Sequence, residues 1–186
     1  MSPRLNPSLA AARVPRYTSY PTAPHFNGAV NGNVFADWIG MLPEHEPLSL
    51  YLHIPFCDSL CWFCGCHMRV VNTYTPVAAY TDLLIREIHL VGLALKTRRR
   101  ATHVHFGGGS PNILKVHHLE RLIGKLHEHF KFDREAEIAA ELDPRGTTEA
   151  WIGAAAKLGL NRTSLGVQTF EPNVQSLINR RQSIGT

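Results

Sequence analysis

Apolar positions along the chain fall into runs whose spacing predicts alternating strands and helices. LSLYLHIPF (48–56) is an extended apolar and aromatic run that ends at a cysteine-rich loop. PVAAYTDLLIREIHLVGLAL (76–95) opens on Pro76 and places Val77, Tyr80, Leu84, Ile88 and Val91 on one face, which predicts a helix. ATHVHFGGG (101–109) alternates Thr102, Val104 and Phe106 against His103 and His105, a strand running into glycines. HHLERLIGKLHEHF (117–130) carries Leu119, Leu122, Ile123, Leu126 and Phe130 at helical spacing. AEIAAELDP (136–144) predicts a strand stopped by Asp143 and Pro144. TTEAWIGAAAKLG (147–159) predicts a short helix with Thr147 as N-cap and Gly159 as C-cap. RTSLGVQTF (162–170) is the fourth strand, and EPNVQSLINRR (171–181) starts a fourth helix with Pro172 in its first turn.

The order βαβαβαβα implies an α/β fold with parallel strands and helices packed outside them, because right-handed crossovers are nearly obligatory. A doubly wound sheet and part of a (βα) barrel both satisfy this pattern. In either, chemistry gathers at the carboxyl ends of the strands. The segments CDSLCWFCGC, GGGSP, ELDP and VQTF each lie at or just past such an end. Residues distant in sequence are therefore expected to converge on one rim.

Composition changes this picture little. With 44% hydrophobic and 18% charged residues over 186 positions, the chain is that of an ordinary globular domain. No signal-peptide-like segment opens it, and no run approaches the ~18 apolar residues that span a bilayer, so we expect a cytoplasmic protein without a membrane partner. The formal charge of +4 and the basic run Lys96 to Arg100 raise the question of nucleic acid. No aromatic residues are interleaved with that run to stack bases, and it reads as a solvated turn. The eleven histidines are scattered and read as surface residues, with His53, just before the cysteine loop, as the exception to be tested as an active-site group.

All four cysteines, Cys57, Cys61, Cys64 and Cys66, lie within ten residues. Three chemistries compete for them. A structural zinc site commonly uses two separated CxxC pairs, whereas the spacing here is C-x3-C-x2-C-x-C in one tight loop. Disulfides between neighbours suffer from strained geometry and from a reducing compartment. An iron–sulfur cluster takes thiolates from short-spaced loops of this kind, and the spacing favours it over zinc.

C-x3-C-x2-C directly after the first strand, with aromatic Phe63 before the third cysteine, resembles the signature of the radical S-adenosylmethionine superfamily. The flanking VPRYTSYPTA (14–23), YLHIPFC (51–57), the fourth cysteine in CGC, HFGGGSP, ELDPR and GVQTF with VQSLINR resemble the oxygen-independent coproporphyrinogen III oxidase family within it. The resemblance implies the N-terminal part of a partial TIM-like barrel, about four parallel βα units over residues 48–186, preceded by an extended N-terminal arm over residues 1–47. It implies a 4Fe–4S cluster on Cys57, Cys61 and Cys64 whose fourth iron binds S-adenosylmethionine. Reductive cleavage would yield a 5′-deoxyadenosyl radical that removes hydrogen from a substrate propionate. Loss of carbon dioxide and one electron then leaves a vinyl group, and two such rounds turn coproporphyrinogen III into protoporphyrinogen IX.

By the same resemblance, Tyr51, Phe63, Gly108, Gly109, Ser110, Glu141, Gln168 and Arg180 are cofactor-binding. Glu141 matches a ribose-binding glutamate, while Gln168 and Arg180 match residues around a second adenosylmethionine. Ser110 stands where the family usually has threonine. By spacing Cys66 could be a fourth cluster ligand, but that would close the open iron. The family's fourth cysteine is not a ligand and sits near the active site, which implies a catalytic or substrate-proximal role for Cys66. His53 joins it as a candidate by its place just before the cysteine loop. Read without the family, Arg180 is an exposed helix charge. The family implies a monomer, fed by an unidentified electron donor. Related haem chaperones share the cluster motif but generally lack the fourth cysteine and the PRYTSYPTA arm. A non-catalytic zinc module is the alternative from another class. The family's chains are far longer, so we expect a fragment, with an open edge strand, an open apolar face and doubtful independent activity.

Overall fold

The structure, a computed structural model, describes residues 21–183 and residue 185. The chain divides into two compact units, Met1–Phe35 and Ala36–Thr186. Most of the VPRYTSYPTA motif lies outside the described residues. The described part of the expected arm is not simply extended: it holds a 3-10 turn (Ala23–His25) and helix α1 (Gly32–Gly40). Asn31 accounts for the helix start, its side-chain oxygen accepting from the backbone N–H of Asn33 and Val34.

The second unit is built on strands β1 (Leu48–Ile54), β4 (Arg99–Gly108), β5 (Phe130–Leu142) and β6 (Arg162–Leu165), all parallel and in the order β1-β4-β5-β6. Each new strand adds beside the last, with no reversal of direction. That is the winding of a barrel rather than of a doubly wound sheet, which places later strands on both sides of the first. Two short strands, β2 (Phe56–Cys57) and β3 (Arg69–Val70), pair in parallel and clasp the cysteine loop at its two ends. The crossovers are α2 (Thr75–Ala94), α3 (Val116–His129) and α4 (Glu149–Lys157), and α5 (Pro172–Leu177) follows β6.

One face of the sheet and the helices share a core containing Ile54, Val77, Val104, Phe106, Leu122, Leu126, Leu142 and Trp151. The period of two then sends Tyr51, His53, His103, His105, Glu137 and Glu141 to the opposite face. That face is polar, which corrects the expectation of an open apolar one. Exposed apolar side chains lie beyond it, at Leu165, Phe170 and Leu177.

Several local expectations need correcting. Strand β5 begins at Phe130, not near Ala136, because Phe130 and Phe132 pair with Arg99 and Ala101 across a bulge while the intervening polar residues face water. Strand β6 stops at Leu165, where its pairing with β5 ends. The Lys96 to Arg100 run is no solvated turn. Arg99 is buried and donates to the carbonyls of Leu42 and Pro43, Arg98 donates to Phe130 O, and Arg100 pairs with Asp133. The N-cap of α4 is Thr148, whose Oγ1 accepts from Trp151 N at 3.2 Å, while Thr147 instead donates to Asp143 O. Thr148→Ala is expected to cost about 1 kcal/mol in urea denaturation.

Nor are all the histidines superficial. His118 is buried on α3, with Nδ1 2.7 Å from the Tyr74 hydroxyl. Burial first, then the neighbouring His117 and Arg121, push its pKa below the ordinary histidine value. The unfolded chain therefore binds this proton more tightly than the folded one. The stability His118 contributes is full above the unfolded value near 6.5 and is lost as pH falls through the lower folded value. Unfolding free energies measured across that window should fall with pH in the parent and fall less in His118→Gln. An identical slope in the variant would contradict this assignment.

Candidate metal centre at the strand ends

The cysteine loop leaves β1 through Pro55 and is fixed from three sides. Gly109 N–H donates to Ile54 O and Ser110 N–H to Phe56 O, both at 2.8 Å, tying the loop's entry to the end of β4. Gly109 permits this: a Cβ there would lie 2.4 Å from Phe56 O. The loop's exit is held by the β2–β3 pair. Its middle is held by residues 178–180, where Trp62 N–H donates to Ile178 O at 3.0 Å and Asn179 Nδ2 donates to Leu60 O at 2.7 Å.

These ties assemble a cleft of about 210 Å³ at the carboxyl ends of the strands. Cys57, Cys61, Cys64 and Cys66 line it, together with Phe63, Gly108, Gly109, Ser110, Glu141, Gln168 and Arg180. Thus eleven of the thirteen sequence-selected residues converge. Tyr51 and His53 do not line the cleft; they stand beside it on the polar face of β1.

The polar face is organised around those two. His53 Nε2 lies 2.8 Å from His67 O, so Nε2 carries the proton and Nδ1 is left to accept from the Tyr51 hydroxyl at 3.1 Å. Tyr51 stacks on His105, whose Nε2 is 3.2 Å from Glu141 Oε1. Burial, the Glu141 carboxylate and Cys66 together raise the Tyr51 pKa. The glycines expected to admit a ligand first admit these side chains. A Cβ on Gly107 would meet the Tyr51 hydroxyl at 2.9 Å, and one on Gly108 would meet His53 at 2.8 Å. Gly108 also has φ +109°, a region that favours glycine.

Arg180 is not the exposed helix charge its sequence position suggests. It is 7% exposed and lies beyond the end of α5. Its Nη1 is 3.1 Å from Cys61 Sγ and 3.2 Å from Asp143 Oδ2, and its Nε donates to Gly166 O. Arg145 comes to the same sulfur, Nη2 at 3.3 Å, and pairs with Asp143 at 2.6 Å. Burial opposes ionisation of Asp143, but side-chain and backbone donation from Arg145 and the charge of Arg180 prevail, and its pKa falls below the usual carboxylate range. Sequence reasoning placed ELDP at the rim and ELDPR in the family resemblance but gave Asp143 and Arg145 no role in the site beyond a strand stop. The available signal was the Asp-Pro-Arg turn itself, in which Asp143 Oδ1 accepts from Arg145 N–H.

Cys57 has Ser110 Oγ at 3.6 Å. Burial raises the Cys57 thiol above its ordinary pKa, the Ser110 bond opposes that, and the nearby Cys64, Asp143 and Cys61 add to it. Cys66 is raised by burial and by its contact with Cys64. Among the described residues no three His, Cys, Asp or Glu side chains converge on a point that would hold one metal ion. The thiols are spread around one cleft, a donor set suited to a group whose several irons each take one thiolate. Guanidinium donors at Cys61 fit this reading, since thiolate accepts such bonds well.

Residues 51–185 match the Radical SAM superfamily, and the chain belongs to it. That family implies a 4Fe–4S cluster and S-adenosylmethionine. Within it, the chain is 45% identical to the oxygen-independent coproporphyrinogen III oxidase of Bradyrhizobium diazoefficiens, over 95% of this chain and 39% of that protein. It is 44% identical to the Paracoccus denitrificans protein of the same name, over 94% of this chain and 39% of the relative. The solved structure of coproporphyrinogen III oxidase (HemN) from Escherichia coli, a radical SAM enzyme, superposes with a TM-score of 0.85 at 37% identity, covering 97% of this chain and 40% of that one. The chain thus spans about 39% of the length of these curated relatives.

Proposed function

We propose that this chain provides the cluster-binding part of an oxygen-independent coproporphyrinogen III oxidase. The observation that carries the proposal is the convergence of four thiols, the strand-end glycines, Glu141 and Arg180 on one cleft. Cys57, Cys61 and Cys64 hold a 4Fe–4S cluster, and Cys66 stays unligated near the substrate. When bound, the cluster supplies one-electron chemistry at an iron that no thiolate closes.

The protein's own part is binding, orientation and exclusion of water. Tyr51, Phe63, Gly108, Gly109, Ser110 and Glu141 take part in binding adenosylmethionine, and Gln168 and Arg180 face a second molecule. His53, fixed as one tautomer by His67 O, keeps Tyr51 in place and stands at the substrate side. The activity is conversion of two propionates of coproporphyrinogen III to vinyl groups, giving protoporphyrinogen IX. It takes place in the cytoplasm, in a monomer supplied by a separate electron donor. No helix among the described residues is long and apolar enough to cross a membrane.

Anaerobic reconstitution with iron and sulfide, then EPR of the reduced protein with and without S-adenosylmethionine, tests this. A cluster signal that changes on addition of S-adenosylmethionine is the expected result. Stoichiometric zinc binding with no cluster would overturn it.

A further inference from the structure

Arg145 is absent from the lining of the cysteine-lined cleft. It lines a second cavity behind the cysteine loop, of about 160 Å³, with Asp58, Ser59, Asn112 and Asp143. From there its guanidinium, paired to Asp143, presents Nη2 to Cys61 Sγ at 3.3 Å. Arg180 approaches the same sulfur from the cleft side at 3.1 Å. Cys61 is the buried member of the four cysteines, so these two contacts lie where water screens charge least. Two cations and one carboxylate leave a net positive charge against one sulfur. The Asp-Pro-Arg turn accounts for the aim of Arg145: Asp143 receives both its backbone N–H and its side chain, so the arginine has little freedom to swing away.

We propose that Arg145 is a positioning residue that sets the reduction potential of the iron–sulfur group held by Cys61, donating an N–H···S bond from behind the loop while Asp143 locks its direction. The inference rests on the cluster reading above. One-electron reduction takes a 4Fe–4S centre from the 2+ to the 1+ state, and part of the added charge falls on the thiolate sulfurs. A fixed donor and positive charge beside one sulfur stabilises the reduced form more than the oxidised form, which raises the potential.

The test is anaerobic redox titration, with titanium(III) citrate as reductant and EPR as readout, of the reconstituted chain, Arg145→Gln, Arg145→Lys and the surface control Arg100→Gln. The midpoint of Arg145→Gln should shift to more negative potential at parental iron and sulfide content. Arg145→Lys, which keeps charge but loses the fork, should fall between the two, and Arg100→Gln should match the parent. If Arg145→Gln loads poorly, the intermediate shift of Arg145→Lys carries the test. A parental midpoint in a fully loaded Arg145→Gln or in Arg145→Lys overturns the proposal while leaving the cluster reading intact. Failure of the parent chain to take up any cluster overturns both.

Discussion

Cys57→Ala, Cys61→Ala and Cys64→Ala should each reduce the iron and sulfide content of the reconstituted chain to background, whereas Cys66→Ala should load like the parent. The prediction rests on the proposed cluster assignment, and the four thiols, although they line one cleft, have different surroundings. Cys57 leaves β2 beside Ser110, Cys61 is buried against two guanidinium groups, and Cys64 follows in the turn whose N–H donates to Cys61 O at 3.0 Å. Cys66 is exposed and sits next to His67, whose carbonyl is bound by His53. Removal of Cys61 also strands two arginines around the space left by its sulfur, so that variant should be the least stable of the four. Elemental analysis with EPR reads the outcome. Equal loss of loading in Cys66→Ala would show that all four thiols are ligands and would sink the open-iron assignment.

Gly109→Ala should destabilise the chain by about 3 kcal/mol, the upper part of the overpacking range. The added methyl would lie 2.4 Å from Phe56 O and 2.8 Å from Phe56 C, both backbone atoms, so no side-chain rotation relieves the clash. Relief requires breaking the Gly109–Ile54 and Ser110–Phe56 hydrogen bonds, and those fix the entry to the cysteine loop. Gly124→Ala is the matched control. Gly124 is exposed within α3 and nothing lies within 4 Å of a Cβ there, so the substitution should stabilise by about 0.5–1 kcal/mol through helix propensity. Urea denaturation of both variants gives opposite signs if this account is right. A neutral Gly109→Ala would mean that the loop entry yields freely.

Helices α2 and α3 were legible because their apolar positions recur at helical spacing and face one core. The central parts of β1 and β4 were legible for the parallel reason at period two. What failed had no local signature. The start of β5 lies in a polar stretch whose strand conformation depends on pairing with β4. The β2–β3 pair joins residues twelve or more apart through backbone bonds that no side-chain pattern encodes. Thr147 and Thr148 are equivalent N-caps by composition, and only the path of the chain into Asn112 and Asp143 selects Thr148.

For the site, the sequence by itself determined the chemistry available: four thiols in ten residues, glycines at a strand end, and a carboxylate at another. It also determined that these ends meet, because parallel βα units all point the same way. Only the tertiary structure decided what surrounds each group. It chose barrel winding over a doubly wound sheet, since strand order is a long-range property. It buried Arg180 beside Cys61, 119 positions away, and sent Arg145 to the same sulfur from behind. Charge placement of that kind depends on which loops lie side by side once the sheet has formed, and nothing in the periodicity of a single element records it.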